Sequence, residues 1–191
     1  MTFQVKVRHK TRLVIRQKIV DLAESFALDR HGAQDHGCLK ISDHLADVAF
    51  NVRKHYDPHL NFSEAEEVIA AAWLHDVCED TFITSDEICD RFGDRVGDLV
   101  ELVTDKSGRN RLERHLKTYH AIRRDPDAIL IKLCDRRHNH ARSIKYGEKY
   151  AIMYRDEYLR FKFALYNPGQ FTALWMELDE QYKQLEDLLT W

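Results

Sequence analysis

His44, the adjacent pair His75-Asp76, and Asp135 are the residues of this chain whose types and order best suit a metal ion. Two imidazoles and two carboxylates present neutral nitrogen and ionised oxygen donors, a set that suits Mn, Fe, Co or Zn better than Ca. With four protein ligands, open coordination positions would hold water and a phosphate oxygen, allowing the metal to act as a Lewis acid and to lower the water's pKa. Glu79 and Asp80 follow the His75-Asp76 pair closely in the chain. Acidic side chains at that spacing can orient or deprotonate an attacking water. The chemistry expected of such a set is hydrolysis of a phosphate ester or anhydride.

The dipeptide alone carries little weight, since 11 His among 191 residues would give a His-Asp neighbour about once by chance. Taken singly, His44 reads as a capping-turn or core histidine and Asp135 as a buried carboxylate paired with Lys132 or Arg136. Context separates the readings. His75-Asp76 ends the apolar run Val68, Ile69, Ala70, Ala71, Ala72, Trp73, Leu74, and Asp135 follows Ile129, Leu130, Ile131 and Leu133. An isolated buried carboxylate costs several kcal/mol or loses its charge, so helices that deliver two of them to a core need a cation there.

Apolar spacing predicts the elements that carry these groups. A first amphipathic helix is expected over about 11–30, then a loop, then a helix capped by Ser42 or Asp43 with His44 in its first turn. Ser63 and Glu66 form a capping-box pattern opening the helix that ends near His75-Asp76. Glu79 and Asp80 are expected on its continuation, on nearby faces; the plain alternative for Asp80 is an N-cap of the next segment. Thr84 or Ser85 caps a short helix stopped by Gly93, and another follows over 94–104. A mobile loop over 105–110 precedes a basic helix over 111–124. Asp125-Pro126 opens a helix through Asp135 to about Ile144, and two more run over about 148–165 and 171–189. The fold class is therefore all-α, a single domain over 1–191 whose C-terminal helices pack on or extend the bundle. Trp175, Leu178, Tyr182, Leu185 and Leu189 can face inward or form a homo-oligomer surface.

A net charge of −3 with mixed signs gives no basic field for a nucleic-acid backbone. The N-terminus lacks the apolar core of a signal peptide, and no apolar run approaches a membrane span. Four cysteines without a paired spacing fit reduced thiols in a cytoplasmic protein. Among the basic residues Arg109, Arg111, Arg114, Lys117, Arg123 and Arg124, a few can meet a polyphosphate while most serve a solvated face. Tyr154, Arg155 and Tyr158 can clamp a nucleotide, although such a stripe is more often core. Lys132, beside the Asp135 segment, is a further candidate substrate contact.

The stretches LHDVCEDT, TSDEICDRFGDRVGDLVELVTDK and ILIKLCDRRHN, with HGAQ ahead of them, resemble the hydrolase domain of the RelA/SpoT alarmone enzymes over about residues 20–145. The chain is similar in length to the small single-domain alarmone hydrolases, and no synthetase or regulatory region follows, so hydrolysis alone is expected. The resemblance implies an all-α HD-domain bundle, Mn held by His44, His75, Asp76 and Asp135, and Glu79 and Asp80 as the catalytic acidic pair. It implies removal of the 3′-pyrophosphate of guanosine tetra- or pentaphosphate, a nucleotide polyphosphate substrate, with Asn139 contacting the nucleotide. One motif departs. Where the family has an Arg-Lys pair after the Gln, Gln34 is followed by Asp35, His36 and Gly37, and the loop to His44 is one residue shorter. His36 can stack on a base as a flat ring but lacks a guanidinium's permanent charge and fork. Two other functions fit the same residues: a phosphomonoesterase acting on another nucleotide, and a metal-stabilised module that binds a nucleotide or partner without turnover.

Overall fold

The computed structural model describes residues 18–147 and 150–188. A helix over 18–31, α1, leads into a two-stranded antiparallel hairpin, β1 (Asp35–His36) and β2 (Leu39–Lys40), registered Asp35 to Lys40 and His36 to Leu39. Helices then follow as α2 (Ile41–His55), α3 (Ala65–Leu74), α4 (Val77–Asp80), α5 (Ser85–Phe92) and α6 (Asp94–Val103). The chain continues through α7 (Arg111–Ile122), α8 (Pro126–Tyr146), α9 (Ala151–Leu165) and α10 (Thr172–Leu188). The fold is all-α, as the composition and helical spacing indicate. The part of the first expected helix that holds Val14 and Ile15 lies outside the described residues, as does Leu189.

Two helices form the centre. Every residue of α3 from Val68 to Leu74 is buried, as are Ala128 to Ile131 and Leu133 to Cys134 of α8. A helix apolar on all sides must be enclosed by others, and α2 and α6 pack on α3 while α2, α9 and α10 pack on α8. Trp175, Leu178 and Leu185 of α10 are buried. The length of α8 follows from its ends: Asp125 accepts hydrogen bonds from the backbone N–H groups of Asp127 and Ala128, Pro126 occupies the first turn, and Gly147 stops it at φ 59°, a left-handed geometry that glycine adopts without strain.

Three expected boundaries shift, each for a local reason. α2 starts at Ile41 because the hairpin delivers Lys40 as its N-cap, with Asp43 accepting from the Lys40 N–H at 3.3 Å. α3 is capped by Glu64 with Glu67, not by Ser63 with Glu66, because Ser63 is committed elsewhere: its N–H and hydroxyl both donate to Asp127. α3 also does not run on to Glu79. It ends at Leu74, His75 and Asp76 form a turn, and the single turn α4 carries the acidic pair.

Asp127 is the buried knot of this half of the molecule. Fully enclosed, it accepts from Asn61 Nδ2 at 2.8 Å, the Phe62 N–H at 3.1 Å, Ser63 and Arg95 Nη2. Arg95 also grips Asp125 through two bonds of 2.9 and 3.0 Å. One carboxylate thus ties the loop before α3 to α6 and to the start of α8. Replacing one partner of a buried ion pair strands the other, at a typical cost of about 3 kcal/mol. Asp127→Ala is expected to lower unfolding free energy by about that amount in urea titrations; a loss below about 1 kcal/mol would show the network to be dispensable.

His140 is fully buried between the rings of Tyr154 and Tyr158, and neither of its nitrogens has a hydrogen-bond partner among the described residues. Burial, aided by the Arg136 charge, pushes its pKa down to about 3 from the usual 6.5. The unfolded chain therefore takes up this proton first, so the contribution of His140 to stability is complete above pH 6.5 and drains away as pH falls toward 3. Two pH units below the unfolded value correspond to roughly 2–3 kcal/mol. His140→Leu should flatten the decline of melting temperature between pH 6.5 and 4.5; an unchanged slope would assign the acid sensitivity to other groups.

Candidate active site

Three helical segments converge polar side chains on one point. His44 comes from the first turns of α2, His75 and Asp76 from the turn after α3, and Asp135 from the middle of α8. His44 Nε2 lies 3.1 Å from His75 Nε2, 3.3 Å from Asp76 Oδ2 and 3.7 Å from Asp135 Oδ1. Asp76 Oδ1 is 3.2 Å from His75 Nε2. His75 Nδ1 donates to the Ala72 carbonyl at 2.8 Å, which fixes the tautomer and leaves Nε2 with its lone pair toward the cluster. The donor atoms of His44, His75 and Asp135 all fall within 4.8 Å of one another. Two imidazole nitrogens and two carboxylates aimed at a shared point fit a divalent cation in type and number.

The electrostatics favour that state of the ligands. Burial pushes the His44 pKa down to about 4, so its ring is neutral near pH 7. Burial opposes ionisation of Asp76 and Asp135, yet His75, His44 and Lys132 hold both carboxyls below their usual range. Lys132 Nζ sits 3.5 Å from Asp135 Oδ2; against its own burial, Asp135, Glu79, Asp105 and Asp76 keep it protonated.

Glu79 and Asp80 stand beside this cluster in different environments. Glu79 Oε1 accepts from the Asp105 N–H at 2.7 Å, and burial pushes its pKa up despite Lys132 nearby. Asp80 Oδ2 accepts from Gln34 Nε2 at 2.9 Å, and Gln34 Oε1 is 3.0 Å from His31 Nδ1. The end of α1 thereby positions the second carboxylate.

All of these groups except the buried histidines line one polar cavity of about 480 Å³, together with His36, Arg111, His115, Tyr119, Arg136, Asn139, Arg142 and Tyr154. Arg111 and Arg136 share Glu157, at 2.6 and 3.2 Å, and Arg136 Nη2 also donates to the Tyr119 hydroxyl at 3.3 Å. Lys132, His36, Asn139 and Tyr154 of the candidate substrate contacts therefore reach the cavity. Arg155 does not: it bonds Asp156 and borders a separate groove with Leu159, Tyr182 and Glu186, because the next position on a helix points about 100° away from Tyr154. Tyr158 is core, its hydroxyl donating to Asp179. Of the basic residues on and around α7, Arg111 alone lines this cavity.

Asp105, His115 and Tyr119 were not singled out by sequence reasoning. The readable signal was inverted amphipathicity: Leu112 and Leu116 of α7 are exposed, while His115, Thr118 and Tyr119 are buried. A helix that turns polar groups inward is lining a polar site.

The HD domain family matches residues 21–151. A guanosine-3′,5′-bis(diphosphate) 3′-pyrophosphohydrolase of Aquifex aeolicus is 37% identical over 129 residues, 63% of this chain and 17% of that protein. A human protein of the same enzyme name is 45% identical over 73 residues, 38% of this chain and 41% of that protein. This chain thus aligns with less than half the length of either relative. A solved structure described as a metazoan ortholog of SpoT that hydrolyzes ppGpp superposes with a TM-score of 0.69 at 25% identity, covering 90% of this chain and 97% of that one. With its histidine and aspartate donors carried on α2, the α3 turn and α8, and the family matching across all of them, this chain belongs to the HD domain family.

Proposed function

We propose that this chain is a metal-dependent pyrophosphohydrolase that removes the 3′-pyrophosphate of guanosine tetra- or pentaphosphate, and that Mn is its metal. The observation that carries this reading is the pairing of Glu79 and Asp80 with the four-donor cluster in a cavity also lined by Arg111, Arg136 and Lys132. The names of the relatives from Aquifex aeolicus and Homo sapiens support the same reaction. His44, His75, Asp76 and Asp135 would hold the metal, which would supply Lewis acidity toward a phosphoryl oxygen and acidify water.

The chain's own groups do the rest. Glu79, with its raised pKa, accepts the proton of the attacking water, and Asp80, held by Gln34, orients that water. Lys132 offsets the charge of the acidic wall so that a polyanion can approach, and Arg111 and Arg136 offer guanidinium forks to phosphate oxygens. Tyr154, packed under Arg136 at 5.2 Å from ring centroid to guanidinium carbon, borders the nucleoside. Four free cysteines fit a reducing, cytoplasmic setting, and no helix among the described residues is long and apolar enough to cross a membrane.

Purified Mn-loaded protein given guanosine 3′,5′-bis(diphosphate) should release pyrophosphate and GDP. A panel of nucleotides scored separately for phosphate and pyrophosphate tests the reaction type, and release of phosphate alone would make this a phosphomonoesterase. Glu79→Gln and Asp80→Asn should each lower kcat by about 10²- to 10⁴-fold while retaining metal. His75→Ala should lose metal and activity together. Full turnover in Asp80→Asn would overturn the role given to that carboxylate.

A further inference from the structure

We propose that His36 is a positioning residue of the metal centre, holding His44 and Asp135 in place through its ring and through Asn139, and is not spent on the nucleobase. This rests on the reading of His44, His75, Asp76 and Asp135 as metal ligands. The two ligand histidines are supported in different ways. His75 is locked by its hydrogen bond to the Ala72 carbonyl, whereas His44 Nδ1 is buried with no partner among the described residues. A metal-binding imidazole ordinarily gains its orientation from the nitrogen that does not bind metal. For His44 that restraint comes from rings: His36 stacks on it with centroids 4.1 Å apart and planes 17° apart, and His138 meets it edge-on at 4.7 Å. His138 is itself anchored by Asp47 Oδ2 at 3.0 Å from its Nδ1.

The same His36 ring reaches a second ligand. Asn139 Nδ2 donates to Asp135 Oδ1 at 2.6 Å, and Asn139 Oδ1 lies 3.2 Å from His36 Nε2. An ionised carboxylate can only accept, so the amide nitrogen must face Asp135 and the amide oxygen must face His36. His36 Nε2 is then the donor, and a relay runs from His36 through Asn139 to Asp135. The backbone completes the arrangement: Arg142 Nη1 donates to the His36 carbonyl at 3.1 Å, and the turn beyond it is made by Gly37 at φ 64°. One face of the ring is already covered by His44 and its donor nitrogen is already used. A base could meet only the ring's other face, without its donor nitrogen.

The test reads metal affinity in the absence of nucleotide, by titrating Mn and following the free-ion paramagnetic resonance signal. His36→Ala and Asn139→Ala should weaken Mn binding about 10- to 100-fold, the usual effect of removing a group that orients a ligand. His36→Phe keeps a ring over His44 but loses the bond to Asn139, and His36→Gln keeps a donor but loses the ring. Each should fall between the wild type and His36→Ala. High Mn should restore kcat of His36→Ala toward wild type with little change in KM for the nucleotide. Mn affinity within twofold of wild type, with KM raised at saturating Mn, would overturn the proposal and return His36 to the base site. Circular dichroism establishes folding, and should the alanine variant misfold, the phenylalanine and glutamine variants decide. Weakened Mn affinity in a protein that does not cleave the guanosine nucleotide would uphold this inference while the substrate reading fails; a wild type that binds no Mn would remove both.

Discussion

Two carboxylates, Asp76 and Asp135, approach the same imidazole nitrogen of His44 within 3.3 and 3.7 Å, and most of the architecture answers the problem of keeping them there. Like charges in a poorly solvated site repel strongly, and a flexible scaffold would let them part. Here each arrives from a separate, deeply packed element. α3 and α8 are enclosed along their apolar stretches, so the turn after α3 and the middle of α8 cannot drift relative to α2 without opening the core. Lys132, on the same helix as Asp135, is the built-in cation that makes the concentration of negative charge tolerable.

The cavity is electrically mixed. Carboxylates of Asp76, Glu79, Asp80, Asp105 and Asp135 share its wall with Arg111, Arg136, Arg142 and Lys132. Glu157 holds Arg111 and Arg136 together without consuming all their donors, since each guanidinium carries five N–H groups. That arrangement preorganises cations for an anionic ligand while preventing the mutual repulsion of Arg111 and Arg136 from parting α7 and α8.

Much of this arrangement is legible in the sequence, and what is not depends on contacts between distant parts of the chain. His75-Asp76 and Asp135 were readable because they follow apolar runs, where a charge has no cheap explanation, whereas His44, preceded by Ser42 and Asp43, joined them only through its order in the chain. The ends of α8 were readable because Asp125, Pro126 and Gly147 are each favoured there by backbone geometry. Asp127 was invisible for the opposite reason: its partners Asn61, Ser63 and Arg95 lie some 30 or more residues away in sequence, and no local signal marks a long-range ion pair. Its claim on Ser63 also moved the cap of α3 by one residue. Arg111 was visible only as one of several basic residues, because periodicity shows that a helix has two faces and not which of them meets a cavity.

The hairpin of β1 and β2 is only two residues long on each side, and strands so short do not persist by their own pairing. Its order is borrowed from α8, through Asn139 and Arg142. Coupling of this kind is reciprocal: were a metal held as proposed, the free energy by which a well-placed His36 favours its binding would be the same free energy by which binding favours the ordered hairpin. On that proposal the hairpin and the metal site would be two readings of one equilibrium, and any ligand or substitution that loosens one would draw on the stability of the other.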